Sequence, residues 1–472
     1  MRSMGQEDIS MHVIKYDKNY TRRYFMEGVG KSAIGAGMLA PLWDVIARDG
    51  DISKAYPDEA LDISHYTDGK INVGDVIDAS NVEYVRDMMD PGMYFQISQQ
   101  GRLVDVAPTE TDINRLSPVK FNEATLRNRG KHKFDSIGNV VTKEDGRPWI
   151  GGLPFHEPKT AREFVANNTL CWARYDSSFF PVEEWDMDRH GNQKFHYELL
   201  FAEYKAVGRI SMKPSPYMSG HEDKLRFAMA LFTSPSDISG TSIVNHWPYD
   251  QRKLPDFFGW LPQFKRVRRF PTNQRFEPMI PGSTLFPSDA FLTGDPYLTW
   301  GNYKIVGKTP FLGGVSSNNW AAEKDRWLLD RCGGTTGKKF FRTSVSLIPE
   351  VYAIDLYPTG YPRAPYGKKR IWFDSRNISA FAMVGFDRHG ETWKVLEGGG
   401  GDYDNKKGRV FTDDDGNPYI SWTYFHSHDV QSDNISTIQQ VSEIDGGHKV
   451  RINDPAVYEN FCTVSAIRRL GT

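Results

Sequence analysis

The stretch KKRIWFDSRNISAFAMVGFDRHGETWKVLE, residues 368–397, constrains the fold most. It holds three short apolar runs. Asp374-Ser375-Arg376-Asn377 separates the first two, and Asp387-Arg388-His389-Gly390 separates the last two. Both separators are turn chemistry: Asx side chains bond nearby backbone, and glycine supplies positive φ. The segment therefore predicts a three-stranded antiparallel meander. Alternation along the middle run puts Phe381 and Met383 on one face, Ala382 and Val384 on the other. Both faces are apolar. One is expected to face the core and the other a cavity or a covering helix.

Similar text continues on both sides. KFHYELLFAEYKAVGRISM (194–212), DKLRFAMALFTSPSDISG (223–240) and FFGWLPQFKRVRRF (257–270) read as strands, as do TWGNYKIVGKTPF (299–311), SVSLIPEVYAIDLYP (344–358) and the end of FTDDDGNPYISWTYFH (411–426). No βαβ alternation appears, which argues against a parallel doubly wound sheet. The expected class is mainly β, a β-rich α+β fold: a large curved antiparallel sheet or incomplete β-barrel with a few helices and long loops. Residues 56–150 read as irregular, with a helix near Val82–Met89 and PGMYFQIS (91–98) as a turn then a strand. Gly398–Gly401 reads as a flexible loop.

The chain of 472 residues begins with a segment of another kind. TRRYFMEGVGKSAIGAGMLAPLW (21–43) pairs Arg22 and Arg23 ahead of a weakly apolar, Gly/Ala-rich run. Four glycines make it a poor helix, and Lys31 makes it a poor membrane span. The pattern matches a twin-arginine export signal; the alternative is a surface helix. Ser53-Lys54-Ala55 offers small residues for cleavage. The expected division is a Tat-type signal and leader over 1–55 and a single large β-rich domain over 56–472. The expected location is the periplasm.

Net charge is −2, so no bulk field favours nucleic acid or an anionic membrane. The basic run Lys265–Arg269 reads as a solvated strand face. Cys171, Cys332 and Cys462 form no CxxC; two could pair in an oxidising compartment, or all three could be buried thiols. No nucleophile elbow, HExxH, Walker loop or dinucleotide fingerprint occurs, so no cofactor and no catalytic residue is assigned. His426 and His428 would point the same way on a strand and are weak metal candidates; solvated histidines at a strand end are the plainer reading.

Several segments in order resemble the DUF1329 family, whose members are similar to the LolA/LolB carriers. They are GRPWIGGLPFHEPKT (146–160), followed by Asn167 and Trp172, then LRFAMALFTSPSDISGT (225–241) and DFFGWLPQFKRVRRF (256–270). DPYLTWGNYKIVGK (295–308) and residues 368–395 complete the set. Residues 151–440 would form the family core. The resemblance implies a periplasmic protein with a curved antiparallel sheet around an apolar cavity. It implies binding of a lipid or other hydrophobic molecule, and a membrane exporter or outer-membrane protein as partner. It supplies no catalytic residues.

The function expected is a periplasmic carrier of a hydrophobic molecule. The alternatives are an enzyme acting on such a substrate in the same cavity, and an envelope scaffold. Trp260, Phe264, Trp300, Trp372, Phe381, Met383 and Trp393 are the expected lining. The sequence leaves the oligomeric state open.

Overall fold

The computed structural model describes residues 42–471 except 272–273, 293, 322–323, 404–410 and 414. Arg22 and Arg23 lie outside the described residues.

Two antiparallel meanders make one 16-stranded sheet. The first runs β1 (Ser177–Met187), β2 (Gln193–Lys205), β3 (Lys224–Ser234), β4 (Ser242–Pro248), β5 (Asp256–Leu261) and β6 (Arg266–Phe270). The second begins with β7 (Gly301–Gly313), β8 (Thr343–Tyr357) and β9 (Tyr366–Asp374). It continues through β10 (Ala380–Asp387), β11 (Thr392–Asp402), β12 (Ile420–Asp429) and β13 (Asn434–Gln440). β13 pairs with β1, Ile435 opposite Met187 and Gln440 opposite Val182, and so joins the two. β6 stays at an edge and the sheet does not close. The short strand Val104–Ala107 adds to β8 in parallel.

The meander expected over 368–397 is present as β9–β11. Its simple alternation is not. The ladder between β9 and β10 slips at Phe381: Trp372 faces Ala382, but Phe373 faces Ala380. This bulge turns Phe381 towards Trp372 and Phe311, away from the core that holds Met383.

Helices cover both faces of the sheet. α1 (Leu42–Asp49) and α3 (Ala161–Cys171) pack on the inner face, and α2 (Pro91–Gln100) packs on the outer face of β8 and β11. α4 (Ala456–Phe461) and α5 (Val464–Leu470) cover the outer face of β2–β4. α2 replaces the strand expected at 91–98. Asp90 caps the N–H groups of Gly92 and Met93, Pro91 starts the helix, and Gly101 ends it at φ 69°. These end signals outweigh the β-like composition between them. α3 starts on a capping box of Thr160 and Glu163.

Trp43 and Ile46 of α1, with Ile52, are buried in the same core as α3. A leader running to residue 55 would therefore carry part of the core. The three cysteines are buried and unpaired. Among the described residues no helix is long and apolar enough to cross a membrane.

Candidate functional site

The inner face of the sheet is organised in rows across the ladder. Val182 faces Leu199, and Leu199 faces Phe232. Phe180 faces Phe201, Phe201 faces Ala230, and Ala230 faces Ile243. Large rings flank the small Ala228 and Ala230, and the space left is an almost wholly apolar cavity of about 210 Å³. Phe425 of β12 and Ile438 of β13 extend its floor. Its roof is Trp172, just past α3, with Ile280, Leu285, Phe286 and Phe291 from the segment 274–292.

Buried charges pin that roof. Arg275 meets Asp295 at 2.6 Å. Asp289 takes Lys394 at 2.5 Å, Lys369 at 3.1 Å and the Tyr366 hydroxyl at 2.6 Å. Burial opposes the charge on Asp289, but Lys394 and Lys369 outweigh it and hold the carboxyl at about 2. Further along, the Thr284 N–H donates to Ser436 Oγ at 2.8 Å and the Thr284 hydroxyl to Ser427 Oγ at 2.9 Å. The Ser436 hydroxyl donates to Asp186. Asp186 and Glu184, two apart on β1, share this end of the inner face. Burial raises both carboxyls, and the charge of Glu184 raises Asp186 further, so the pair holds a proton between them.

A second cavity of about 140 Å³ lies beyond a partition of Trp172, Trp422 and Phe425, which border both spaces. The Phe425 ring is 5.1 Å from Trp422 and 6.1 Å from Trp172. Arg174, Ser178, Glu203 and Ser379 make this space more polar. Gly398–Gly401 also line it, from within β11. The run is a strand rather than a loop because it pairs with β12, Gly398 opposite Phe425 and Gly401 opposite Ser421, and the rings of β12 leave no room for side chains: a Cβ on Gly398 would stand 2.5 Å from Phe425 Cε1, and one on Gly399 2.0 Å from Tyr424 Cε1.

Of the seven lining residues expected from sequence, Phe381 alone borders either of these cavities, the smaller one. Trp260 donates its indole N–H to the Gly471 carbonyl at 3.0 Å. Phe264 is 48% exposed and lies under Arg268. Trp300 donates to Asp295 at 3.1 Å. Trp372 packs on Phe311, with ring centres 5.9 Å apart. Met383 is inner core. Trp393 packs at a tilt against Tyr366, with ring centres 4.8 Å apart, and against Phe286 at 5.8 Å, behind the roof. Trp172, noted only for the resemblance, is the tryptophan at the centre of the site.

His426 and His428 do lie on one side of β12, but the outer one, and they are buried rather than solvated. His426 Nε2 accepts the Phe341 N–H at 3.1 Å. Gln96 lies 3.2 Å from His428 Nδ1 and Asp433 lies 2.7 Å from its Nε2. Burial pulls His426 down to about 4. Beside it Arg102 binds Glu397 at 2.5 Å, and the network ties α2 to the sheet. Among the described residues no group of three or more His, Cys, Asp or Glu is placed to hold a metal.

The sequence profile of the family described as "Protein of unknown function (DUF1329)" matches residues 76–468. The chain belongs to the DUF1329 family. A search of curated proteins finds no match. Among solved structures, the chain is similar to a domain described as an outer membrane lipoprotein-sorting protein, from Vibrio parahaemolyticus. Identity there is 14%, over 66% of this chain and 99% of that one, with a TM-score of 0.42. A DUF1329 family protein from Desulfovibrio piger shares 12% identity over 62% of this chain and 96% of its own, with a TM-score of 0.40. A LolA superfamily protein from Nitrosomonas europaea shares 13% identity over 65% and 99%, with a TM-score of 0.34.

Proposed function

We propose that this protein binds and carries one hydrophobic molecule, a lipid or another apolar compound, in the periplasm after twin-arginine export. One observation carries the reading. An apolar cavity lies on the inner face of an open sheet, under a roof segment held by a few defined polar contacts. A hydrophobic molecule crossing water needs such a shell. A membrane exporter or outer-membrane protein is the partner that this role calls for.

A second reading, an enzyme on a hydrophobic substrate, has one observation in its favour: Glu184 borders the cavity and shares a proton with Asp186. Their engagement with Ser436, and through it with the roof, favours a structural task. A scaffold role would be favoured by a filled barrel, and the cavity does not support it.

Native mass spectrometry of protein taken from its host's periplasm, followed by solvent extraction, tests the carrier. A stoichiometric hydrophobic molecule supports it. Protein without cargo that also fails to take up hexadecanol overturns it.

A further inference from the structure

Arg174 stands in the smaller cavity without a carboxylate within ion-pair distance among the described residues. Its guanidinium donates to three neutral oxygens: Ser117 Oγ, the Asn377 carbonyl at 2.8 Å and Ser379 Oγ at 2.6 Å. Its face lies 4.8 Å from the Phe121 ring. Burial pulls the guanidinium down to about 10. The guanidinium is half-buried, and the carboxylate charge that reaches it, Asp374, is already bound to Arg376, so an arriving anion would give it a counter-charge of its own.

A carboxyl group borders the same cavity. Glu203 is 3% exposed and borders the same cavity, and its Oε1 has no hydrogen-bond partner. Burial raises its carboxyl and favours the neutral form, which donates a hydrogen bond. The shift lessens the negative charge that would oppose an anion at Arg174.

The two cavities also lie along the same strands. β1 presents Glu184 and Val182 to the larger cavity and Phe180 and Ser178 to the smaller. β2 does likewise with Leu199 and Phe201, then Glu203. From Glu184 to Ser178 a strand advances roughly 20 Å. One leaflet of a bilayer's hydrocarbon core is about 15 Å thick. The distance therefore suits one extended acyl chain plus a head group, provided the Trp172–Trp422–Phe425 partition turns aside.

We propose that the two cavities form a single trough for one long-chain amphiphile, with its chain in the larger cavity and an anionic head, carboxylate or phosphate, at Arg174. This rests on the carrier reading and names its ligand class. The test follows tryptophan fluorescence (Trp172, Trp247 and Trp422 line the trough) while hexadecanoate, hexadecyl phosphate or hexadecanol is added to the full chain. Either anion is expected to bind about tenfold tighter than the alcohol, and the stronger of the two identifies the head. R174Q is expected to erase that preference. A230W, which fills the larger cavity, is expected to weaken all three ligands. Near-ultraviolet circular dichroism of both variants establishes that they are folded. If Arg174→Lys restores the preference, its cause is charge. Equal affinity for all three ligands, or a preference that survives in R174Q, overturns the head assignment and leaves the carrier standing. Failure of all three to bind overturns the carrier as well.

Discussion

Gly398 faces Phe425 across the ladder between β11 and β12, and the Phe425 ring covers the space where a side chain on Gly398 would stand. Phe425 also belongs to the partition between the two cavities. The missing side chain thus sets the shape of the site. Gly398→Val should push the ring into the trough. We expect a stability loss of about 1–3 kcal/mol, as for other overpacked sites. Bound hexadecanol should fall more steeply than stability. Unchanged binding in a folded variant would detach Phe425 from the site.

The Asp289 latch makes an acid-limb prediction. Its carboxyl sits at about 2, below its ordinary 3.8. A depressed carboxylate contributes stability that is complete above about pH 4 and is lost as pH falls through about 2. Asp289→Asn removes that contribution and leaves Lys369 and Lys394 buried without their counter-charge. The expected cost at pH 7 is about 3–5 kcal/mol. Denaturant unfolding between pH 2 and 7 measures both effects. A variant as stable as the parent at pH 7 would contradict the latch.

The acid pair works with the opposite sign. Burial raises both carboxyls, and the Glu184 charge raises Asp186 further. Above about pH 4 the folded pair holds a proton that the unfolded state has released, so the pair lowers stability as pH rises towards its raised titration. Asp186→Asn keeps an acceptor for Ser436, removes one carboxyl of the pair and leaves Glu184 raised by its burial alone. It should stabilise by about 1–3 kcal/mol at pH 8 and by little at pH 4. Thermal unfolding at the two pH values decides it. Equal shifts at both would show that the pair does not share a proton.

What the sequence disclosed, and what it hid, follows from locality. The β9–β11 meander was legible because Asp374–Asn377 and Asp387–Gly390 carry turn chemistry in consecutive residues. α3 also carries a local signal, the Thr160-x-x-Glu163 capping box. The trough had none. Ala230 matters because Phe201 and Ile243 flank it, and those neighbours depend on pairing between separate strands. Phe381 and Met383 parted company through a bulge that no alternation pattern reveals. The tryptophans misled because Trp260, Trp300 and Trp372 serve the core or bond to backbone and carboxylate instead.

Trp43 offers a test of where the folded chain begins. It is 1% exposed in the main core. In protein purified from the periplasm, Trp43→Ala should cost about 3–5 kcal/mol. No effect on stability would mean that cleavage near residue 55 removes Trp43 before the mature protein is measured.

On the carrier reading, the cargo lies between the sheet's inner face and the roof. A hexadecyl chain bearing a photoactivated diazirine, bound at one equivalent and mapped by peptide sequencing, tests it most directly. Label is expected on Phe201, Phe425, Leu285 and Phe291. Label confined to the outer face, at the α4–α5 pair or around exposed Phe264, would contradict it.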